Sequence, residues 1–490
     1  MCCLKRVLGK KGDFMMRKTK IVCTLGPKTN SREMIEKLIG AGMNVVRLNT
    51  SHGSIEKHRR TIRLIKEVRK DLNIALPIIL DLEGPKVRIE GINDEIEIKE
   101  GEEIFIYSKP YEITNKGFST TCKEKVIRDV NIGDVILIDD GNIKLKAIDK
   151  REKSLVCIAL NSGSIKPKKG LSVPGIDFDL PPLSEKDRDF VALAVEENVE
   201  FLAQSYIRRT ADILELKRIL KELGATSIEV IAKIETPQAL KSLDDIIRAS
   251  EAVLVARGDL GVELPVERVA IEQKRIIQLS NLYSKPVITA TQMLESMVVN
   301  PIPTRAEVAD ITNSILDGTD AVMLSGETAV GDYPVEAVQM MDRIARVTEE
   351  KYEEFKRNFL DMLRVYPLTK DTNEAIAKAC WDISNNLELN VIVTPTTSGS
   401  TSKRVSKYRP KAVIIGVTPD PSTYQKLGLV WGVYPILVGK TTNTDEMLDI
   451  TEELVQSLGL AQKGEQIIIT AGIPWGVPGT TNLLKIQTLS

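Results

Sequence analysis

AKIE (232–235) sets a lysine and a glutamate two residues apart where an apolar run ends, and ARGDLG (256–261) sets Asp259 just past the next run. In an extended chain residues i and i+2 face the same side, so Lys233 and Glu235 enter one space together as a cation and a carboxylate. Carboxylates from adjacent runs, Glu235 and Asp259, suit a magnesium ion, which completes its shell with substrate oxygens and water. Lys233 beside them and Arg47 opposite can neutralise a transferring phosphoryl group, a reaction in which catalysis is mostly positioning and charge stabilisation. A Lys-x-Glu pair by itself is more often a solvated ion pair, and Arg-Gly-Asp more often a turn. Their place at the ends of buried runs is what points to chemistry. In RLNTSHG (47–53), Arg47, Asn49 and Ser51 share a face if the strand runs on. With Asp81 they offer oxygens for a second ion, and His52 reads as a polar contact rather than a general acid.

Eight short Val/Ile-rich runs must position these residues: 20–24, 45–48, 77–81, 199–203, 228–233, 252–256, 286–290 and 320–324. They read as strands buried on both faces, with a helical stretch between most neighbours. A closed parallel barrel of eight such units brings all the strand ends, among them Gly258, Thr291 and Ser325, to one rim, where that fold keeps its active sites. The fold class expected is therefore α/β, a (β/α)8 TIM barrel. At 490 residues the chain exceeds one ordinary core. A net charge of −1 supplies no long-range field for nucleic acid or a membrane surface. No apolar run is long enough to span a bilayer. Six cysteines without a CxxC pair argue against a disulfide framework or a thiolate metal site and for the cytoplasm. With only His52 and His58, chemistry must rest on Lys, Arg, carboxylates and hydroxyls.

No helical pattern follows the third run. Period-two alternation replaces it at 95–107, at 135–148 with a hairpin about Asp140-Gly141, and at 154–160. The barrel is thus expected at 17–85 and 183–350, interrupted by an inserted all-β lid domain, a β-barrel, at 86–182, with Pro181-Pro182 as a stiff hinge. Ser184, Thr236-Pro237 and the Thr304–Glu307 capping box mark helix starts. Residues 351–490 alternate helix and strand as a separate α/β domain with a mainly parallel sheet. Residues 1–16 read as an N-terminal extension, and Met15 and Met16 offer an alternative start.

Taken in order, RLNTSHG, IEVIAKIETPQAL (228–240), ARGDLGVELP (256–265), ITATQMLESM (288–297) and MLSGETA (323–329) resemble the motifs of the pyruvate kinase family, over essentially 17–490. The resemblance implies phosphoryl transfer from phosphoenolpyruvate to ADP, giving pyruvate and ATP. It implies Glu235 and Asp259 as magnesium ligands, Lys233 on the moving phosphoryl group and the enolate, and Arg47 on phosphate. The backbone at Gly258 and Asp259, with Thr291, would take the substrate carboxylate. Thr291 and Ser325 would lie on the path of the proton. Asn49, His52, Arg88 and Lys186 fall at nucleotide- or phosphate-contacting positions, and a homotetramer is implied.

DLEGPK (81–86) departs from the potassium-dependent pattern, which has Thr-Lys after the Asp and Glu where Lys86 stands; Ile89 replaces a Thr. The Lys86 ammonium can supply the charge of a potassium ion in the region of Asn49, Ser51 and Asp81, so potassium is expected to be dispensable. Lys86 exposed at the start of the lid is the plainer alternative. TPTTSGST (394–401) follows a strand and precedes a helix, so Thr396, Thr397, Ser398, Gly399, Ser400 and Thr401 form a phosphate nest. The resemblance makes it an allosteric effector loop, with 472–481 as the second one. Family members regulated by fructose 1,6-bisphosphate often have basic residues at Thr397 and Ser400. Their absence leaves AMP, a sugar monophosphate or no effector. A magnesium-dependent pyruvate lyase or aldolase on a similar barrel would need the carboxylates but not Lys186. A metabolite sensor would be expected to have lost Lys233 or Glu235.

Overall fold

Strands covered on both faces have no solvent side, and six of the barrel strands are buried at every residue: Lys20–Thr24, Ile78–Asp81, Phe201–Gln204, Ala252–Ala256, Val287–Ala290 and Ala321–Leu324. The other two, Val45–Asn49 and Glu229–Ile234, are partly open only at Arg47, Asn49 and Glu229. A computed structural model describes residues 16–490 apart from 114, 140, 356–370, 442 and 474–480. Its eight strands are all parallel and close in chain order, the first pairing with both the second and the eighth. The barrel interior is filled by Val22, Val45, Ile79, Phe201, Ile231, Leu254 and Ile288, so it is a packed core and not a pore. The expected extension before Met16, Asp140 of the hairpin and most of the 472–481 loop lie outside the described residues. Among the described residues, Cys23, Cys122, Cys157 and Cys380 are free and buried, and no helix is long and apolar enough to cross a membrane.

The three helix starts legible in the sequence form as expected. Ser184 caps Glu185–Glu196 in a reciprocal box with Asp187. Thr236 caps Pro237–Lys241 with the proline in the first turn. Thr304 and Glu307 box the start of Arg305–Leu316. The Thr236 cap fixes the chain just after a barrel strand, and such a cap contributes about 1 kcal/mol.

Between the third and fourth barrel strands the chain forms a closed seven-stranded barrel and a separate two-stranded sheet. Two details differ from the sequence reading. The alternating stretch 95–107 is broken by a turn at Gly101 (φ 82°), and its halves, Ile96–Ile98 and Glu103–Tyr107, join different sheets. The short helix Glu124–Asp129 also interrupts the all-β pattern. Entry to the insert passes Gly84, at φ 77°, where an added Cβ would meet Ser205 Cβ at 2.9 Å and the Tyr206 ring at 3.0 Å. Only glycine fits both the left-handed backbone and the close approach.

The C-terminal sheet has five strands, four of them parallel, with Thr481–Thr488 antiparallel at one edge. Val433–Leu437, which was not read from the sequence, occupies the other edge. Its Pro435 weakens the strand signal, and an edge is where a sheet tolerates proline. This domain is fixed to the barrel by Arg409, which is buried. The guanidinium reaches Asp320 Oδ1 at 3.1 Å and donates to Asn281 Oδ1 at 3.0 Å and Gly318 O at 2.6 Å, and it stacks on Trp431. Removing one partner of a buried pair leaves an uncompensated charge and costs roughly 3–5 kcal/mol. Asp320→Ala is therefore expected to lower the first thermal unfolding transition by several degrees. An unchanged melting profile would show that this anchor contributes little.

Candidate active site

Four ionisable side chains are buried at the mouth of the barrel, each delivered by the end of a strand. Arg47 Nε donates to Asp81 Oδ2 at 2.7 Å. Lys233 Nζ lies 2.8 Å from Glu235 Oε1 and 3.3 Å from Asp81 Oδ1, and donates to Ser205 Oγ at 2.6 Å. The side chains are only 11% (Arg47), 2% (Asp81), 11% (Lys233) and 1% (Glu235) exposed, so water does little to screen them. Burial alone would lower the Lys233 pKa, but the Asp81 and Glu235 carboxylates outweigh it and hold the ammonium above the ordinary lysine range. Burial would raise Asp81, and Lys233 and Arg47 outweigh that too, leaving it below the ordinary carboxylate value. Glu235 goes the other way. Burial raises it, Lys233 pulls it back, and the like charge of Asp259 adds to the rise.

Around this cluster the rim is held by backbone in unusual conformations. Tyr206, which sequence reasoning missed, has φ 55°, donates its N–H to Glu235 Oε2 at 2.7 Å and its hydroxyl to Asp259 Oδ1 at 3.1 Å. Thr291 and Gln292 have φ 67° and 53°. Thr291 Oγ1 accepts from Gly258 N at 2.8 Å and donates to Ala290 O at 2.7 Å. Arg257 secures that turn, donating to Thr291 O at 2.5 Å and reaching Asp310 at 2.6 Å. Ser325 precedes Gly326–Ala329, and its N–H donates to the buried Glu327 at 2.7 Å. Lys86 turns inward, its ammonium 4.0 Å from Asp259 Oδ1 and 5.0 Å from the Tyr206 ring centre. A cavity of about 110 Å³ opens here between insert and barrel, lined in part by Lys86, Ser172, Tyr206, Asp259 and Glu263.

The expected second-ion region is arranged differently from the sequence reading. The second strand stops at Asn49, so Ser51 does not continue its face. Instead Asn49 Oδ1 accepts from Ser51 N at 3.1 Å, while both Asp81 oxygens face cationic side chains. His52 is exposed, and its carbonyl accepts from His58 Nε2 at 2.8 Å. Glu83 bridges two of the four expected nucleotide contacts: it pairs with Arg88 and accepts from Lys186 Nζ at 2.8 Å. Lys186 also donates to Ser51 O at 3.1 Å, and Arg88 to Lys168 O at 2.8 Å.

The geometry has close relatives. The family model for the pyruvate kinase barrel domain matches residues 16–338, and that for the pyruvate kinase alpha/beta domain matches 374–487. The chain is 45% identical over 479 residues to a pyruvate kinase of Geobacillus stearothermophilus, covering 97% of this chain and 81% of that one. It is 46% identical over 475 residues to a pyruvate kinase of Staphylococcus aureus, covering 96% and 80%. A crystal structure of a pyruvate kinase from Cryptosporidium parvum superposes with a TM-score of 0.90 at 34% identity, over 97% of this chain and 96% of that chain. The chain belongs to the pyruvate kinase family. It is a phosphotransferase. The family generally uses a divalent metal, and the residues present fit one. Glu235 Oε1 is buried, and beyond its 2.8 Å ion pair with Lys233 it has no partner among the described residues, so it keeps acceptor capacity. Among the described residues no group of three or more His, Cys, Asp or Glu converges. A two-carboxylate site that leaves the remaining positions to substrate and water suits magnesium better than zinc.

The 396–401 loop is tied to its surroundings. Thr396 Oγ1 accepts from Gly399 N at 3.0 Å, Thr397 O accepts from Thr423 Oγ1 at 2.8 Å, and Thr401 and Thr481 pair through their hydroxyls at 2.8 Å. Gly399, at φ 79°, turns the chain into Ser400–Ser406, and Ser398 precedes it in the same bend. Of the two residues that sequence reasoning undervalued, Arg257 stood at a strand end and could have been weighted. Tyr206 carried no signal beyond following Ser205.

The depressed Asp81 pKa has a pH consequence. Its stabilisation is fully present above the ordinary aspartate value of about 3.9 and is lost as pH falls through the lower folded value. The difference in melting temperature between the wild type and Asp81→Asn should be constant above about pH 5 and should shrink below about pH 4. A difference that does not change with pH would contradict the assigned ion pairs.

Proposed function

We propose that this enzyme transfers the phosphoryl group of phosphoenolpyruvate to ADP in the cytoplasm, without needing potassium. The ester P–O bond breaks, a bond forms to the terminal oxygen of ADP, and the enolate left behind takes a proton to become pyruvate. The observation that supports this best is the buried ammonium of Lys233, kept charged by Asp81 and Glu235 at the mouth of the barrel. A fixed cation in a water-poor site stabilises charge as it moves from phosphoryl group to enolate, without reorganisation at the moment of reaction. Arg47 would hold the phosphate. The Gly258 and Asp259 backbone with Thr291 would take the carboxylate, and Thr291 and Ser325 lie along the proton's path. A magnesium ion held by Glu235 and Asp259 would supply further charge neutralisation at the transferring group. On the nucleotide side, Arg88 and Lys186 would exchange Glu83 for phosphate oxygens, with Asn49 and His52 alongside, and the insert would close over the site to exclude water.

Lys86 supports the potassium part of the reading. Its ammonium faces Asp259 from 4.0 Å, and a monovalent cation brought beside it would be repelled. A phosphorylated effector at Thr396–Thr401 and a homotetrameric assembly complete the proposal and rest on the family resemblance.

Pyruvate formation from phosphoenolpyruvate, ADP and magnesium in potassium-free buffer is the direct test. Full turnover is expected, and Lys86→Glu is expected to make turnover depend on added potassium. Wild-type turnover only after potassium is added would remove the role of Lys86 and keep the kinase. No turnover from folded protein under either condition would remove the kinase. Lys233→Met, assayed at a temperature where the variant is folded, should reduce turnover by at least ~10²-fold; a near-normal rate would refute its role.

A further inference from the structure

Tyr206 meets both of the expected magnesium carboxylates and the inward-turned lysine, Glu235 through its backbone N–H and Asp259 and Lys86 through its side chain. Its N–H holds Glu235 Oε2 at 2.7 Å, its hydroxyl holds Asp259 Oδ1 at 3.1 Å, and the face of its ring lies 5.0 Å from Lys86 Nζ. Lys86 approaches the same Asp259 oxygen from 4.0 Å, so phenol and ammonium converge on one atom. The backbone that allows this is costly. At φ 55° Tyr206 sits in the left-handed region that a bulky residue rarely enters. That conformation aims the N–H and the hydroxyl at carboxylates from two different strands. The residue is also wedged in place: Gly84 packs so tightly against it that a Cβ there would come within 3.0 Å of the ring.

We infer that Tyr206 is a positioning residue for the divalent metal, fixing the separation and orientation of Glu235 and Asp259 and seating Lys86 beside them. Glu235 lies just past the strand Glu229–Ile234, and Asp259 lies on the short helix Arg257–Glu263 after the neighbouring strand and is about one-third exposed, so the backbone alone leaves its side chain free to rotate. The phenol hydroxyl restricts Asp259 by occupying Oδ1. Residues that hold a metal's ligands by hydrogen bonds in this way typically account for ~10–100-fold in metal affinity or activity. The inference rests on the metal assignment proposed above and names the residue that orients that site.

The test is binding of Mn2+, which shares magnesium's preference for oxygen ligands, to the full chain without substrates, followed by electron paramagnetic resonance. Tyr206→Phe keeps the ring, the backbone N–H and the seat for Lys86, and removes only the hydroxyl. It is expected to weaken Mn2+ binding by ~10-fold or more, to raise the divalent-metal KM in parallel and to leave kcat at saturating metal within a few-fold. The melting temperature should stay close to that of the wild type, which a general packing role would not predict. Glu235→Gln is the control. If it abolishes Mn2+ binding while Tyr206→Phe binds like the wild type, the role of Tyr206 is overturned and the metal assignment stands. If neither variant changes Mn2+ binding, the metal assignment fails and the inference fails with it.

Discussion

The requirement to bury two cations and two anions together at the barrel mouth governs the arrangement of this molecule. Removing an ion from water costs several kcal/mol even after relaxation, and only close, well-directed partners offset that cost. Arg47, Asp81, Lys233 and Glu235 provide each other with such partners. They arrive on the second, third and fifth strands, and Ser205 arrives just past the fourth. The registers Asn49↔Asp81, Asp81↔Ala203 and Ala232↔Gln204 bring these ends level. A one-residue slip in any of these pairings would turn a charged side chain away from its partner. The apolar interior below the cluster thus serves as its floor, with Ile79, Phe201 and Ile231 filling the space under the charges.

The same constraint shapes the entry to the inserted domain. Where other barrel strands are followed by a helix, Asp81 is followed by a segment that carries Glu83, Gly84, Lys86 and Arg88 across the rim. Gly84 lets this segment pass against Ser205 and Tyr206, and the charges on either side of it face opposite halves of the site. Lys86 looks toward Asp259, while Glu83 gathers Arg88 and Lys186. Glu83, a carboxylate between these two cations, holds them close together. The insert is therefore joined to the barrel through the Arg88–Glu83–Lys186 bridge and the approach of Lys86 to Asp259.

At the opposite end of the barrel the C-terminal domain is fixed by charge as well. Arg409 reaches Asp320 at the start of the last strand, and Lys403, on the helix after the 396–401 loop, pairs with Glu229 at 3.0 Å. Glu229 begins the strand that ends in Lys233 and Ile234, with Glu235 next in the chain. One strand thus spans the distance between the C-terminal domain and the buried charge cluster. Parallel strands of a barrel are stiff and buried, so an ion pair at one end and a charge cluster at the other share a rigid element.

Much of this was legible in the chain itself because the signals are local. Val/Ile runs of strand length, the Ser184, Thr236 and Thr304 caps, the change to period two after Asp81, and the i,i+2 spacing of Lys233 and Glu235 all act within a few residues, and they formed as read except where Gly101 breaks the 95–107 stretch and the helix Glu124–Asp129 interrupts the all-β pattern. Pro435 hid an edge strand, since proline argues against a strand unless the sheet's edge is known in advance. The partners of each charge were not legible. Asp81 read as an oxygen donor for an ion, and in the fold it answers Arg47 and Lys233. Tyr206 read as nothing, and in the fold its φ of 55° directs it at two carboxylates. The sequence by itself determined which elements form and which chemistry they carry, because periodicity and capping are short-range. Only the tertiary structure decided which charge meets which, because that depends on barrel closure and on registers between strands as distant in the chain as Asp81 and Ala203, or Lys20 and Ala321.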